Sequence, residues 1–213
     1  MPLNLRKYPR IRSIALRGTS SYWRFRERYI QNYVFIHINK TGGRSVETAL
    51  GCVYEHKTAL EKIAEIGPGV WDAKFTFAFV RNPWDRAVSQ YAYRRKTKQH
   101  AAQDEDMSFD TWLERVYVER DPTLINKEIL FAPQSHWLTD ADGALLVDFV
   151  GRFERFEEDF RHVCDQIGKH AVLPHKNRSS RAAYPAYYTD HTAQIIARTF
   201  EEDIERFGYS FDA

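Results

Sequence analysis

Cysteine is nearly absent from this chain: Cys52 and Cys164 are the two in 213 residues, far apart and without CxxC spacing. That excludes a disulfide-stapled scaffold, and both lie among apolar neighbours, as buried thiols do. The eight histidines are scattered, and neither cysteine has a histidine at motif spacing on both sides, so no metal centre is expected. No run of 18 apolar residues occurs, which removes a spanning helix. The start MPLNLRKYPRIRSIALRG is basic like a secretion signal, but no apolar stretch follows it. A cytoplasmic location is the simplest expectation. Also missing is GxxxxGK[ST], the phosphate loop of ordinary ATP and GTP enzymes.

What is present fits a compact domain: 43% apolar and 15% aromatic residues, with a net charge of only +2. The basic residues are uneven. Residues 1–30 carry Arg6, Lys7, Arg10, Arg12, Arg17, Arg24, Arg26 and Arg28 against Glu27 alone. Such an arm reads first as a solvated, partly ordered lead-in to the first strand, with peripheral contact to a membrane surface or an anionic polymer as the alternative. The remainder, 31–213, reads as one domain.

Apolar runs at Tyr33–Ile38, Phe75–Val80 and Ala144–Val150 read as strands, the second buried on both faces. Helical spacing follows at Arg44–Leu50, Lys57–Ile66 (closed by Gly67–Gly69), Trp84–Lys98 and Phe109–Val118. It returns in the stripe Phe156, Phe160, Val163, Ile167, and in a last helix capped by Thr189 with Ile196, Phe200, Ile204 and Phe207 on one face. Gly151 reads as the turn out of the third strand. Alternation of this kind predicts an α/β fold: three layers, a mostly parallel central sheet, and a helical insertion from Trp84 to Leu138 over the active-site edge.

The segment YVFIHINKTGGRS, Tyr33–Ser45, places Lys40 and two glycines between a strand and a helix. Gly42 and Gly43 let main-chain N–H groups approach an anion, and the helix adds its positive end. Thr41 and Ser45 bring hydroxyls, Arg44 and Lys40 bring charge. Arg81 ends the strongest strand, with Ser89 eight residues on. If the first two strands are neighbours, both groups reach the edge where open α/β sheets bind ligands. A guanidinium with a hydroxyl receives a second phosphate well; the alternative is an ion pair of Arg81 with Asp85.

IHINKTGGRSV and FVRNPWDRAVSQYAY resemble the two donor-binding motifs of sulfotransferases that use 3′-phosphoadenylyl sulfate (PAPS). The resemblance continues through EHKTALEKI, VDFVGRFERFEEDFRHV, LPHKNRSS and YYTDHTAQIIARTFEEDIERFGYSF, and is nearest the carbohydrate, glycosaminoglycan-type branch and its bacterial relatives. It implies a P-loop-like phosphosulfate loop at Lys40–Ser45, a 3′-phosphate site at Arg81 and Ser89, and release of 3′-phosphoadenosine 5′-phosphate (PAP). It implies no obligatory metal. Lys176, Asn177, Ser179 and Arg181 fall where the family closes over the nucleotide. Asn39 departs from the pattern, which has proline before the lysine. The missing membrane anchor of Golgi members points to a bacterial, cytoplasmic enzyme.

An alcohol acceptor must lose a proton during attack, and His56, between the two motifs, is the expected base. Glu55 reads as a residue that orients His56 or binds substrate, with a solvated role equally open. Gln134, His136 and Trp137 read as a platform for a sugar ring, with packing under the insertion as the alternative. His37 reads as a core or supporting histidine, and Arg152 with Glu154 as an ion pair beside the cleft. The expected partner is a hydroxyl-bearing carbohydrate or glycoconjugate. Nucleic acid is not expected, because the chain has no recognised motif for it. Competing readings are an atypical small-molecule kinase and a catalytically silent glycan-binding relative.

Overall fold

The computed structural model describes residues 21–97, 107–174 and 182–212. Three parallel strands, β1 (Tyr33–Ile36), β2 (Phe75–Val80) and β3 (Phe149–Arg152), lie in the order β1-β2-β3. The helices are α1 (residues 21–29), α2 (Gly43–Leu50), α3 (Ala59–Ile66), α4 (Pro68–Asp72), α5 (Pro83–Thr97), α6 (Phe109–Leu113), α7 (Phe156–Ile167), α8 (Asp190–Thr199) and α9 (Glu201–Phe207). No helix among the described residues is long and apolar enough to cross a membrane.

Side-chain alternation along the strands builds the layers. Tyr33, Phe35, Phe77 and Phe79 face α2 and α7, meeting Val46, Leu50, Phe160, Val163 and Ile167. Val34, Ile36, Ala78 and Val80 face the other way, against Ala59, Ile66, Trp71, Trp137 and Phe207. Helices thus cover both faces of a parallel sheet, so the α/β expectation holds. A further core joins α5, α6 and α8 through Trp84, Tyr91, Trp112, Leu113 and Ile196.

Several boundaries differ from expectation. Strand β1 stops at Ile36, because the His37 carbonyl bonds to His56 instead of to a neighbouring strand. The run Ala144–Val150 is divided: Leu145 bridges Thr139 in antiparallel fashion, and only from Phe149 does the chain join β2. Gly151 stays inside β3, where a Cβ would come within 2.6 Å of the Phe79 ring. Gly67 ends α3 as read, but Pro68 at once starts α4. Beyond α6 the helix widens into a π turn at Glu114–Val118. The final helix is two, broken at Phe200; Phe200 fills the insertion core while Phe207 packs on the sheet.

The end of the basic arm is docked. Buried Glu27 of α1 accepts from the Lys62 ammonium, which also donates to Glu55 at 2.5 Å and Glu65 at 3.3 Å. Burial raises the Glu27 pKa against the opposing pull of Lys62, whose own pKa is raised by these carboxylates despite its burial. Among the described residues this trio is the one acidic group spaced to hold a cation, and the ammonium stands among its oxygens. Removing one partner of a buried pair strands the other's charge. Lys62→Met is therefore expected to lower unfolding free energy by about 3 kcal/mol, and Glu27→Leu with Lys62→Met to recover part of it, in denaturant titration.

Candidate active site

Parallel pairing of β1 with β2 brings their carboxyl ends together, and the Lys40 loop and the Arg81 segment both leave from that edge. Lys40 turns the chain out of β1 with φ 68°, a left-handed conformation uncommon for a side-chain-bearing residue. Its ammonium lies 4.1 Å from the centre of the Tyr93 ring, and its carbonyl accepts from Arg81 Nη1 at 3.1 Å. The two cations therefore line one edge.

The loop is shaped by close packing. Gly42, at φ 85°, precedes α2, and a Cβ there would meet Phe156 at 2.7 Å. A Cβ on Gly43 would fall 2.0 Å from His37 Cδ2. The space these glycines leave is thus taken by protein rings, while the main chain stays bare of side-chain capping at the start of α2 and its first turn holds no acid. Such an uncapped, acid-free helix start suits an anion. Ser45 is buried there, its N–H donating to Gly42 at 2.9 Å, and Arg44 lies over Tyr54 at 4.8 Å. Thr41 corrects the expectation of a hydroxyl donor: its buried Oγ1 donates to the Ile38 carbonyl at 2.8 Å.

Asn39 replaces the rigidity of the proline it departs from. Its Nδ2 donates to Leu130 O at 3.0 Å, and its Oδ1 accepts from Arg86 Nη2 at 2.9 Å. Buried Arg86 also donates to Ala132 O at 3.0 Å, so one guanidinium ties the loop to the insertion. Burial lowers the Arg86 pKa.

Arg81 makes the ion pair with Asp85 that the sequence offered as the alternative. Nε and Nη2 donate to Asp85 at 2.8 and 2.6 Å, and the guanidinium lies 4.0 Å from the centre of the Phe153 ring. Ser89 stands one turn beyond Asp85 and one turn before Tyr93, on the α5 face that meets Arg81 and Lys40. The amino end of α5 is closed to a ligand anion. Asn82 Oδ1 caps Trp84 N at 3.1 Å, and Glu154 accepts from Asn82 N at 2.7 Å.

His56 is partly exposed and its ring faces His37 at 4.3 Å. Its Nδ1 lies 3.0 Å from the His37 carbonyl, which can only accept; Nδ1 therefore carries the hydrogen and Nε2 the lone pair. Burial, then the neighbouring His37, lowers the His56 pKa below 6.5. Buried His37 in turn meets buried Glu47 through Nδ1 at 2.6 Å.

Other expected site residues are placed elsewhere. Glu55 is committed to Lys62, with Lys57 at 3.3 Å, in place of the expected bond to His56. Gln134 is buried and grips the main chain of Arg81, accepting from its N–H and donating to its carbonyl, both at 2.9 Å. Buried Asp203 fixes that segment by accepting from Gln134 N at 2.7 Å and Ser135 N at 2.8 Å. Trp137 is fully buried in the sheet core, so it offers no open face to a sugar, and His136 is exposed beside Glu202 at 3.5 Å. Arg152 donates to the Phe207 carbonyl, while Glu154 serves Asn82 and Tyr209, in place of the expected ion pair. Lys176, Asn177, Ser179 and Arg181 lie outside the described residues.

Sequence reasoning missed Tyr93, Glu47 and Tyr54. Tyr93 was legible as the next turn after Ser89; Glu47 and Tyr54 carried no signal until the fold brought them to His37 and His56.

Two variants test the loop. An alanine at 43 gains up to about 1 kcal/mol of helix propensity but must displace a bonded imidazole, a larger cost; Gly43→Ala should lower stability by about 2 kcal/mol net. Because Lys40 is left-handed, Lys40→Gly should melt at higher denaturant than Lys40→Ala, by about 1 kcal/mol.

Comparisons with known proteins bear on the family. A family model described as the sulfotransferase family matches residues 30–210. An uncharacterized protein of Archaeoglobus fulgidus is 29% identical over 105 residues, covering 48% of this chain and 75% of that one. A crystal structure of a sulfotransferase from Alicyclobacillus acidocaldarius aligns over 89% of this chain and 88% of its own at 14% identity; its TM-score of 0.36 is too low to carry an argument. The matched span contains all three strands, the Lys40 loop, the Arg81 strand end and His56, and the chain belongs to the sulfotransferase family.

Proposed function

We propose that this sulfotransferase takes its sulfuryl group from PAPS and delivers it to a hydroxyl of a carbohydrate or glycoconjugate, with His56 as general base. The observation that carries the reading is the Arg81 Nη1–Lys40 carbonyl bond at 3.1 Å, which supports two phosphate receptors on one sheet edge. The residues fit such a donor: a bare helix start, Lys40 and Arg44 at one receptor, Arg81 and Ser89 at the other. The donor supplies a sulfuryl group on a phosphate leaving group.

Each residue then has a task set by its chemistry. Lys40 and the first N–H groups of α2 hold the 5′ end and offset charge that grows on the leaving oxygen. Arg81 offers a fork that Asp85 orients and for which an incoming 3′-phosphate competes with that carboxylate. Ser89 adds a hydroxyl donor. His56 Nε2 accepts the acceptor's proton, and its lowered pKa keeps it neutral at pH 7. The acceptor class rests on the resemblance to carbohydrate enzymes. Tyr54, an exposed ring 5.8 Å from the His56 ring, offers a surface for it in place of Trp137.

A radiolabelled-donor transfer assay against sugars of the source cell tests the reaction. Lys40→Ala should abolish measurable turnover. His56→Ala should lower kcat by about 10²–10⁴-fold while PAP affinity is kept. Because the base must be unprotonated, kcat should fall with acid only as pH passes through the His56 pKa, which lies below that of a free imidazole. A His56→Ala enzyme with the wild-type rate and pH profile rules His56 out as the base.

A further inference from the structure

His37 occupies a position that the reaction as described does not use. Its ring lies against the His56 ring at 4.3 Å, and its carbonyl receives the His56 Nδ1 hydrogen at 3.0 Å. The opposite edge, Cδ2 and Nε2, presses on the first residue of α2, where no Cβ fits. Its Nδ1 meets Glu47 at 2.6 Å, and Glu47 belongs to α2 itself. One buried residue thus meets the base with its ring, accepts the base's Nδ1 hydrogen with its own carbonyl and packs on the helix that starts the loop.

The charge state follows from the surroundings. An imidazolium here would be buried beside two cations, Lys40 and Arg44, and a bare Glu47 carboxylate would be buried with His37 as its partner. A neutral acid on a neutral imidazole avoids both desolvation costs. The other charged groups near these rings are Lys127 beside His56 and Glu55, which is held by Lys62. Burial pushes His37 down to about 3 and Glu47 up to about 8, in line with that neutral pair.

Resting on the assignment of His56 as base, we infer that His37 and Glu47 form a neutral positioning unit. The Glu47 carboxylic acid donates to His37 Nδ1, and the imidazole so locked fixes where His56 stands relative to the start of α2. His37 is thereby the Nε2–H tautomer, the reverse of His56. A neutral Glu47 also leaves the positive potential at the anion loop undiminished.

The test combines spectroscopy with kinetics. Imidazole nitrogen-15 shifts of the wild-type protein at pH 7 should show His37 with an unprotonated Nδ1 and a protonated Nε2. An imidazolium, or the Nδ1–H tautomer, overturns the inference whether or not any variant folds. Glu47→Leu should lower kcat about 10- to 100-fold, the cost of a misplaced base, with PAP affinity unchanged within about threefold. Glu47→Gln keeps an N–H donor and should restore most of the rate. Equal losses in the two variants, or none in Glu47→Leu, sink the positioning role. His56→Ala, assayed alongside, separates the readings: a loss there with wild-type Glu47→Leu kinetics rejects only the positioning unit, whereas an unchanged rate rejects the base itself and this inference with it.

Discussion

Lys40 sits in a left-handed turn, and that turn aims its carbonyl at the end of the neighbouring strand, where Arg81 donates to it. Two residues 41 apart in the chain are thereby held at a fixed separation, each with its cation at the carboxyl edge of the sheet. The bond exists because β1 and β2 are parallel neighbours, and it is held from behind by buried Gln134 on the Arg81 main chain. Strain at Lys40 of about 1–2 kcal/mol is offset by this contact and by the packed loop that follows.

The supporting groups are polar and buried, which makes them structurally expensive to lose. Arg86 joins Asn39 to the carbonyls of the insertion, Asp203 joins Gln134 and Ser135 to α9, and Glu154 joins α5 to Tyr209. Together they set the anion loop, the Arg81 strand end and the insertion in one rigid frame. Lys40, partly exposed, and the uncapped start of α2 are the parts of that frame proposed to meet the donor. A reaction that depends on alignment more than on covalent chemistry gains most from such a frame.

Much of the fold was legible because alternating apolar residues dictate sides: FTFAFV carries its aromatic rings to one helix layer and its small aliphatics to the other. The placement of Lys40 and Arg81 at one edge was legible for the same reason, since each follows the end of a strand. Side chains such as Gln134, Trp137 and Glu55 were not. Their residue types suit a ligand as well as a core, and only the third dimension shows Gln134 bonded to Arg81 and Glu55 to Lys62. The β3 boundary was obscured because Leu145 and Leu146 are as apolar as a sheet strand, yet they pair with Thr139 and Leu138. Nor does spacing show that Gly43 is required by His37, a contact between residues on different elements.

The central claim is that one adenosine carrying phosphate at both ends engages Lys40 and Arg81 together. Titration calorimetry of the full chain with PAP and with adenosine 5′-phosphate tests it most directly. A 3′-phosphate held by a charge-assisted fork is worth about 1.5–3 kcal/mol, so PAP should bind at least about tenfold more tightly. Equal affinity for the two nucleotides, or no binding of either, would contradict the account.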